Sequence, residues 1–298
     1  MMFRIFCKDS TLSKIMQTIF CTFAPLKRTN RMNDMEHIIG MLSPEMEALE
    51  AALAETLSSA TAPMDTALRY VAAVRGKRLR PALVFLSARL LGEVNDDTRR
   101  TALFVELLHT ATLIHDDVVD GADERRGRAS VNARWDNLTA VLAGDFLLSK
   151  AVSLLMTSPD DHRILREMMD TALSMSEGEL LQSSLTTVSA ETYLEIIRCK
   201  TAKLIRSCCV GGALSVHATQ EQVALLADFG LNLGLVFQLR DDLLDADHPD
   251  TVALAERLLP SYLDKALTAL DALSPMAKDP SAWTAFRELT QFCADRRS

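Results

Sequence analysis

Six aspartates carry the first chemical signal in this sequence of 298 residues. Asp116, Asp117 and Asp120 form an Asp-Asp-x-x-Asp cluster in H-T-A-T-L-I-H-D-D-V-V-D-G, and Asp241, Asp242 and Asp245 repeat it in F-Q-L-R-D-D-L-L-D. On a helix, positions i and i+4 share a face, and i+7 returns close to the same line. Asp116 and Asp120 therefore face one way, with His109 two turns earlier. Asp241 and Asp245 pair likewise, with Gln238 one turn before them. Like charges at this spacing repel by about 0.2–0.5 kcal/mol. Both clusters also come late in apolar runs, where the negative end of the helix dipole opposes a carboxylate. A divalent cation relieves both penalties. Magnesium suits the pattern, because it takes oxygen ligands and joins one or two carboxylates to substrate phosphates. One such cluster alone is commonly a solvated acidic helix end. Two of identical spacing, each beside basic or amide side chains, predict two carboxylate walls facing each other across a cavity.

Carboxylates and magnesium call for a polyanionic ligand, and basic residues are spaced to hold one. Lys77, Arg78 and Arg80 lie in G-K-R-L-R-P, at a helix start that itself attracts anions. Arg125 and Arg126 follow the first cluster directly, and arginine suits bidentate phosphate contacts. Lys200 and Thr201 sit inside a long helical pattern, while Gln182 and Gln238 stand on two others. Taken singly, these are an exposed basic turn, a surface lysine and ordinary helix glutamines, and His109 is a core histidine. Their joint recurrence with the aspartates is what makes a site of them.

The elements that must position these residues read as helix after helix. Apolar periodicity predicts helices over 43–57, 64–74, one through Pro81 to Leu91, and a long one capped near Asn95–Asp97 that ends in the first cluster at Gly121. Further helices are predicted over 138–156, 161–184, 190–214 and 221–245, then 252–259, 262–273 and 282–295. Period-2 alternation and hairpin signals are nearly absent. No fixed-period repeat and no Gly/Pro/Ser-rich linker divides the chain, so residues 36–298 are expected to form one all-α domain. Residues 1–35 differ, with six basic residues against two acidic ones around a short apolar patch. They are read as a disordered or mis-started segment or a targeting segment, and stand outside the fold argument.

With hydrophobic residues at 48%, a large core is within reach, and a net charge of -8 argues against nucleic acid as a partner. No window of about 18 apolar residues lacks charge, so no transmembrane segment is expected. Six cysteines without metal-ligand or disulfide spacing read as free thiols in a reducing cytoplasm.

The chain resembles the trans-polyprenyl diphosphate synthases, of the long-chain type that makes quinone side chains. The matching stretches are G-K-R-L-R-P, E-L-L-H-T-A-T-L-I-H-D-D-V-V-D, R-R-G, A-G-D-F-L-L, G-E-L-L-Q, K-T-A and F-Q-L-R-D-D-L-L-D, from roughly Met35 to Asp245. The resemblance implies an isoprenoid-synthase-type helical bundle around a deep central cavity, usually a homodimer, with loose membrane association through an apolar product. It implies that Asp116, Asp117, Asp120, Asp241, Asp242 and Asp245 hold Mg2+. Lys77, Arg80, His109 and Arg126 would bind isopentenyl diphosphate. Arg125, Lys200, Thr201 and Gln238 would bind the allylic diphosphate. The implied reaction is a head-to-tail condensation that lengthens the allylic chain by one isoprene unit.

The chain departs from that family after Asp245. A lysine-bearing loop, a Gly-Lys-Pro-x-Gly-x-Asp stretch and a Lys-x-Thr-Leu-Pro helix start are missing, as if some tens of residues were deleted. A non-catalytic regulatory subunit of a heteromeric synthase, or a crippled enzyme, is therefore the competing reading. A terpene cyclase needs only one acidic cluster and no isopentenyl site, so Lys77, Arg80 and Arg126 argue against it. Ala111 and Thr112, one turn before Asp116, are small and leave room for a long product. Ala111→Phe should shorten the products, read by mass spectrometry. Unchanged lengths would remove Ala111 from chain-length control.

Overall fold

The computed structural model describes residues 3–4, 32–74, 76–157, 162–185, 187–245 and 249–296. Most of the basic segment 1–35, with Cys7 and Cys21, lies outside them. The described helices are α1 (Met32–Met41), α2 (Ser43–Thr56), α3 (Ala62–Ala72), α4 (Leu79–Leu91), α5 (Asp96–Val119), α6 (Val131–Arg134), α7 (Asn137–Met156), α8 (His162–Ser184), α9 (Ala190–Ile197), α10 (Lys203–Ser215), α11 (Gln220–Asp245), α12 (Pro249–Leu273) and α13 (Pro280–Asp295). Two short antiparallel pairs join β1 (Phe3–Arg4) to β4 (Thr187–Val188), and β2 (Glu124–Arg125) to β3 (Arg128–Ala129).

The second pair is a hairpin that the alternation search missed. Its turn residues, Arg126 and Gly127, both have positive φ, at 53° and 74°. Two such residues match the right-handed twist of paired strands. Two other differences concern helix breaks. The segment 190–215 is not one regular helix. A π-helical turn, Arg198–Ala202, separates α9 from α10, and such turns often occur where a helix presents functional groups. Conversely, Pro260 lies inside α12 instead of breaking it. Pro260 and Glu256 are both exposed, so water can solvate the Glu256 carbonyl that the proline leaves without a donor.

Helix α10 lies at the centre, against α4, α5, α8 and α11. It is buried from Ser207 to Ser215 and built of small residues, S-C-C-V-G-G-A-L-S. Small side chains let four neighbours approach at once. A Cβ on Gly212 would overlap the Val84 carbonyl oxygen of α4 and lie 2.7 Å from Ser87 Cβ. The glycine costs about 1 kcal/mol of helix propensity, and the close contact with α4 offsets it. Buried residues of every described helix except α9 join one apolar cluster, and a smaller one groups Ile197, Ala202, Leu235, Leu239 and Ala255.

Helix α5 carries the first acidic cluster and is fixed at both ends. Asn95 forms a capping box with Thr98, through contacts of 3.0 and 3.3 Å, and its amide donates to the Ser215 carbonyl at the end of α10 (2.7 Å). At the other end Asp120 is the C-cap and Gly121 has φ 62°. The Ala122 N–H reaches the Asp117 carbonyl, and the Gly121 N–H reaches that of Val118. This is a Schellman closure, and it stops the helix where the carboxylates are needed.

By length and composition α7 and α11 are each apolar enough to cross a membrane, which qualifies the expectation drawn from the lack of an uncharged window. In this fold, 33% of the α7 window and 50% of the α11 window are buried inside the bundle. Gly212→Val should lower stability by about 1–3 kcal/mol through overpacking, read by thermal unfolding. An unchanged melting temperature would mean that α4 and α10 are not in such close contact.

Candidate active site

The first wall is the last turn of α5. Asp116 and Asp120 lie one turn apart. Burial, then the charge of Glu179 on α8, then that of Asp120, push the Asp116 carboxyl up to about 7, while Lys200 opposes them. Asp120 is raised too, by burial and then by Glu179. Asp117 points elsewhere and is 3% exposed. It accepts from Arg125 Nε at 2.8 Å, so Arg125 of the hairpin anchors the cluster to the loop behind it. Burial raises Asp117, and Arg125 pulls it back.

A cationic shelf adjoins this wall. Arg80 donates from Nη1 to His109 Nε2 (3.1 Å). His109 is 6% exposed, and burial followed by Arg80, Arg126, Arg125 and Arg78 drives its pKa well below the usual range. The ring is therefore neutral and accepts from Arg80. A Cβ on Gly76 would lie 3.3 Å from Arg126 Nη1, which places Arg126 against the G-K-R-L-R-P turn. Lys77, exposed at the edge of this shelf, is pushed down to about 7 by partial desolvation and then by the charge of Arg296. Arg78, next to it, is taken up structurally: it pairs with Glu50 of α2 and Glu106 of α5.

The second wall is the end of α11. Asp241 is 7% exposed and pairs with Arg296 beyond α13. Asp241 Oδ2 is buried and accepts no hydrogen bond. Asp242 accepts from Gln238 Nε2 at 3.2 Å and from the hydroxyl of Tyr193 on α9. Gln238 Oε1 accepts from Thr201 Oγ1 at 2.8 Å. Lys200, adjacent in the π turn, pairs with Glu179 and donates to Gln182 Oε1 (3.1 Å).

These contacts connect the walls. From Asp116 the chain of neighbours runs through Glu179 and Lys200 to Thr201, Gln238 and Asp242. On the other side Asp241, Arg296 and Lys77 lead back toward Arg80 and His109. Helix α10 packs on both α5 and α11, so one helix braces the two that carry the clusters. A cleft of about 430 Å³ lies apart from them, lined by His162, Arg166, Asp170 and Arg206 among others, and holds none of these site residues. Ala111 is 2% exposed within the core, whereas Thr112, half-buried, donates to the His109 carbonyl (2.9 Å).

Glu179, Tyr193 and Arg296 escaped the sequence reading. Glu179 stood inside the quoted G-E-L-L-Q stretch, so its signal was present. Tyr193 and Arg296 reach their aspartates across 49 and 55 positions, and no local spacing reports that.

The donor set fits a divalent cation. Hard carboxylate oxygens are crowded and partly buried, and Asp241 Oδ2 accepts no hydrogen bond. Among the described residues no group of three or more His, Cys, Asp or Glu side chains forms a ready metal cage. One or two carboxylates per ion is what magnesium takes when phosphate oxygens and water supply the rest.

The comparisons with known proteins agree with this architecture. The family profile described as Polyprenyl synthetase matches residues 61–253. Octaprenyl diphosphate synthase of Escherichia coli is 36% identical over 215 residues, covering 71% of this chain and 66% of that protein. The all-trans-nonaprenyl-diphosphate synthase (geranyl-diphosphate specific) of Rhodobacter capsulatus is 36% identical over 214 residues, covering 70% and 65%. Component 2 of heptaprenyl diphosphate synthase from Geobacillus stearothermophilus is 34% identical over 216 residues, covering 71% and 67%. The chain thus spans about two thirds of the length of the curated relatives it matches. Among solved structures, a decaprenyl diphosphate synthase from Rhodobacter capsulatus superposes with TM-score 0.76 at 26% identity, over 89% of this chain and 99% of that one. A polyprenyl synthase from Caulobacter crescentus CB15, complexed with calcium and isoprenyl diphosphate, gives 0.74 at 28%, over 89% and 98%. The fold is all-α and of the isoprenoid-synthase type. The chain belongs to the polyprenyl synthetase family.

A carboxyl with a raised folded pKa favours folding below its ordinary pKa, and that contribution is lost as pH rises through the folded value. For Asp116 the window runs from about 4 to about 7. In the metal-free chain Asp116→Asn should therefore stabilise, on the order of 1–2 kcal/mol at pH 8 and much less near pH 4. It should also reduce the rise in melting temperature that magnesium with inorganic diphosphate produces, because the first-wall ions are lost. Melting curves at the two pH values check both, and a variant indistinguishable from wild type would refute the crowding of the first wall.

Proposed function

We propose that this chain is a magnesium-dependent prenyltransferase. It condenses isopentenyl diphosphate with an allylic diphosphate, head to tail, and yields a long all-trans polyprenyl diphosphate for a quinone side chain. The observation that carries this reading is the charge layout. Two carboxylate walls flank a shelf of cations, where burial and then the neighbouring positive charges hold Lys77 near 7 and push His109 well below its usual range. Such crowding is relieved when polyanions enter.

Lys77, Arg80 and Arg126 grip the diphosphate of isopentenyl diphosphate, with His109 holding the Arg80 guanidinium in place. Arg125 and Lys200 face the allylic diphosphate. A divalent cation held by Asp116, Asp120, Asp241 and Asp245 would supply charge neutralisation to the departing diphosphate. The allylic C–O bond breaks and its electron pair leaves with diphosphate. The double bond of isopentenyl diphosphate then attacks the allylic carbon, a new C–C bond forms, and a proton passes to the released diphosphate. Thr201 donates its proton to Gln238, so its lone pairs remain for the cation. Fixed dipoles of this kind count for most where water is excluded.

A homodimer is part of this reading. Leu138, Val141 and Leu142 of α7 and Leu173 and Leu180 of α8 are exposed on two helices that pack together, and exposed apolar patches mark contact sites. Sedimentation equilibrium reads this directly, and a monomer would overturn it. The free thiols Cys199, Cys208, Cys209 and Cys293 support a reducing cytoplasm as the setting. Small Ala111 and Thr112 support a long product. The second reading, a subunit that needs a partner, is favoured by the likeness to a relative named as a component.

The test is turnover by the purified chain with farnesyl diphosphate, isopentenyl diphosphate and magnesium, with products sized by mass spectrometry. A ladder of long linear products is expected. No product, with diphosphate binding retained and lost in Asp116→Ala, would establish the partner-dependent subunit instead. Isopentenyl diphosphate affinity should also fall above pH 7, by up to tenfold per unit, because Lys77 must take up a proton to pair with the anion. Lys77→Met should lose that pH dependence.

A further inference from the structure

We propose that Tyr193 is a positioning residue, which fixes Asp242 as the anchored member of the second cluster and thereby aims Asp241 and Asp245 at the metal and diphosphate. The inference rests on the function proposed above and assigns the three aspartates different tasks.

The argument starts from one face of α11. Gly234, Gln238 and Asp242 follow at four-residue intervals, so they form one stripe. Each meets the same neighbouring segment, which runs from α9 through the π turn. A Cβ on Gly234 would lie 2.5 Å from the Ala202 Cα. Gln238 accepts from Thr201 Oγ1 at 2.8 Å. Asp242 accepts from the Tyr193 hydroxyl. The stripe is therefore a packing seam, and Asp242 lies in it. At about 100° per residue, Asp241 and Asp245 both fall on one side of Asp242, about 100° and about 60° from it around the helix, so neither side chain shares the direction of Asp242. Asp241 there pairs with Arg296.

The π turn makes the seam possible. Tyr193 and Thr201 stand eight residues apart, about 80° out of phase on a regular α-helix. The wider turn at Arg198–Ala202 re-phases the segment, and both side chains reach α11. Tyr193 is then the outermost tie of the seam, at the end of α11, where a helix frays most easily.

Asp242 is held on both oxygens, on Oδ2 by Tyr193 and on Oδ1 by Gln238 Nε2 at 3.2 Å. A carboxylate so engaged orients its helix rather than wrapping a metal. Partners outside the ligand shell tune metal affinity about 10–100-fold when removed.

The experiment titrates Mn2+ into the full-length chain with inorganic diphosphate, read by electron paramagnetic resonance. Asp116→Asn and Asp241→Asn assign the ions belonging to each wall. Tyr193→Phe removes one oxygen and keeps the ring. It should weaken the second-wall ions at least about tenfold, leave the first-wall ions unchanged, and lower kcat with little change in KM for isopentenyl diphosphate. Asp242→Asn should do the same, and the double variant should be no worse than either alone. Unchanged Mn2+ affinity in Tyr193→Phe, or equal loss at both walls, overturns the proposal. So does complete loss of the second-wall ions in Asp242→Asn beside an unaffected Tyr193→Phe, which would make Asp242 a direct ligand. If Tyr193→Phe fails to fold, Asp242→Asn and Gln238→Leu decide the matter by the same readout. A wild-type chain that binds no Mn2+ with diphosphate would defeat the functional reading itself, an outcome distinct from these.

Discussion

Asp116 and Asp120 stand one turn apart, partly out of water, at the negative end of a helix of 24 residues. Desolvation, like charge and the helix dipole all oppose them. No arrangement of this chain removes that opposition. The surroundings answer it with cations that are already engaged elsewhere and act on the cluster through their charge. Arg125 is given to Asp117, Lys200 to Glu179 and Gln182, and Arg78 to Glu50 and Glu106. The pair Asp116–Asp120 keeps its excess charge. A fold that neutralised it fully would leave nothing to attract a metal and its phosphate.

The remaining architecture holds that unfavourable charge in place. The small residues of α10 bring α4, α5, α8 and α11 close enough for their ends to share one region. The Schellman closure at Gly121 stops α5 at the needed residue, and the hairpin turn at Arg126 and Gly127 sends the chain back so that both arginines serve the site. Each device uses a backbone conformation or a missing side chain rather than a strong bond. That is economical in a place where strong bonds would compete with ligands.

Much of this was legible in one dimension. Four-residue spacing made Asp116 pair with Asp120 and Asp241 with Asp245, and helix periodicity placed most element boundaries within two residues. A cap for α5 among Asn95, Asp96 and Asp97 was visible for the same reason, since capping is a local contest between side chain and backbone, and the fold selects Asn95. What stayed hidden depended on distance or on context. Arg78 and Arg80 look alike in sequence, yet one is bound to two glutamates and the other to His109. The π turn has no compositional mark, because it arises from how α9 and α10 must both meet α11. Pro260 reads as a breaker and is tolerated only because its side of α12 is wet. Tyr193 and Arg296 are ordinary residues until the fold brings them to Asp242 and Asp241.

The amide of Asn95 bonds to the last turn of α10, while Asp116 lies 21 residues further along α5. At 1.5 Å per residue this is a stiff rod of about 32 Å, capped at one end and carrying the carboxylates at the other. A tilt of one degree at the clamp displaces the carboxylates by about half an ångström. Misplacement by 1 Å can cost an enzyme about a hundredfold in rate. The cap at Asn95 and the Schellman closure at Gly121 thus hold the two ends of one rod, and the accuracy of the acidic wall depends on both.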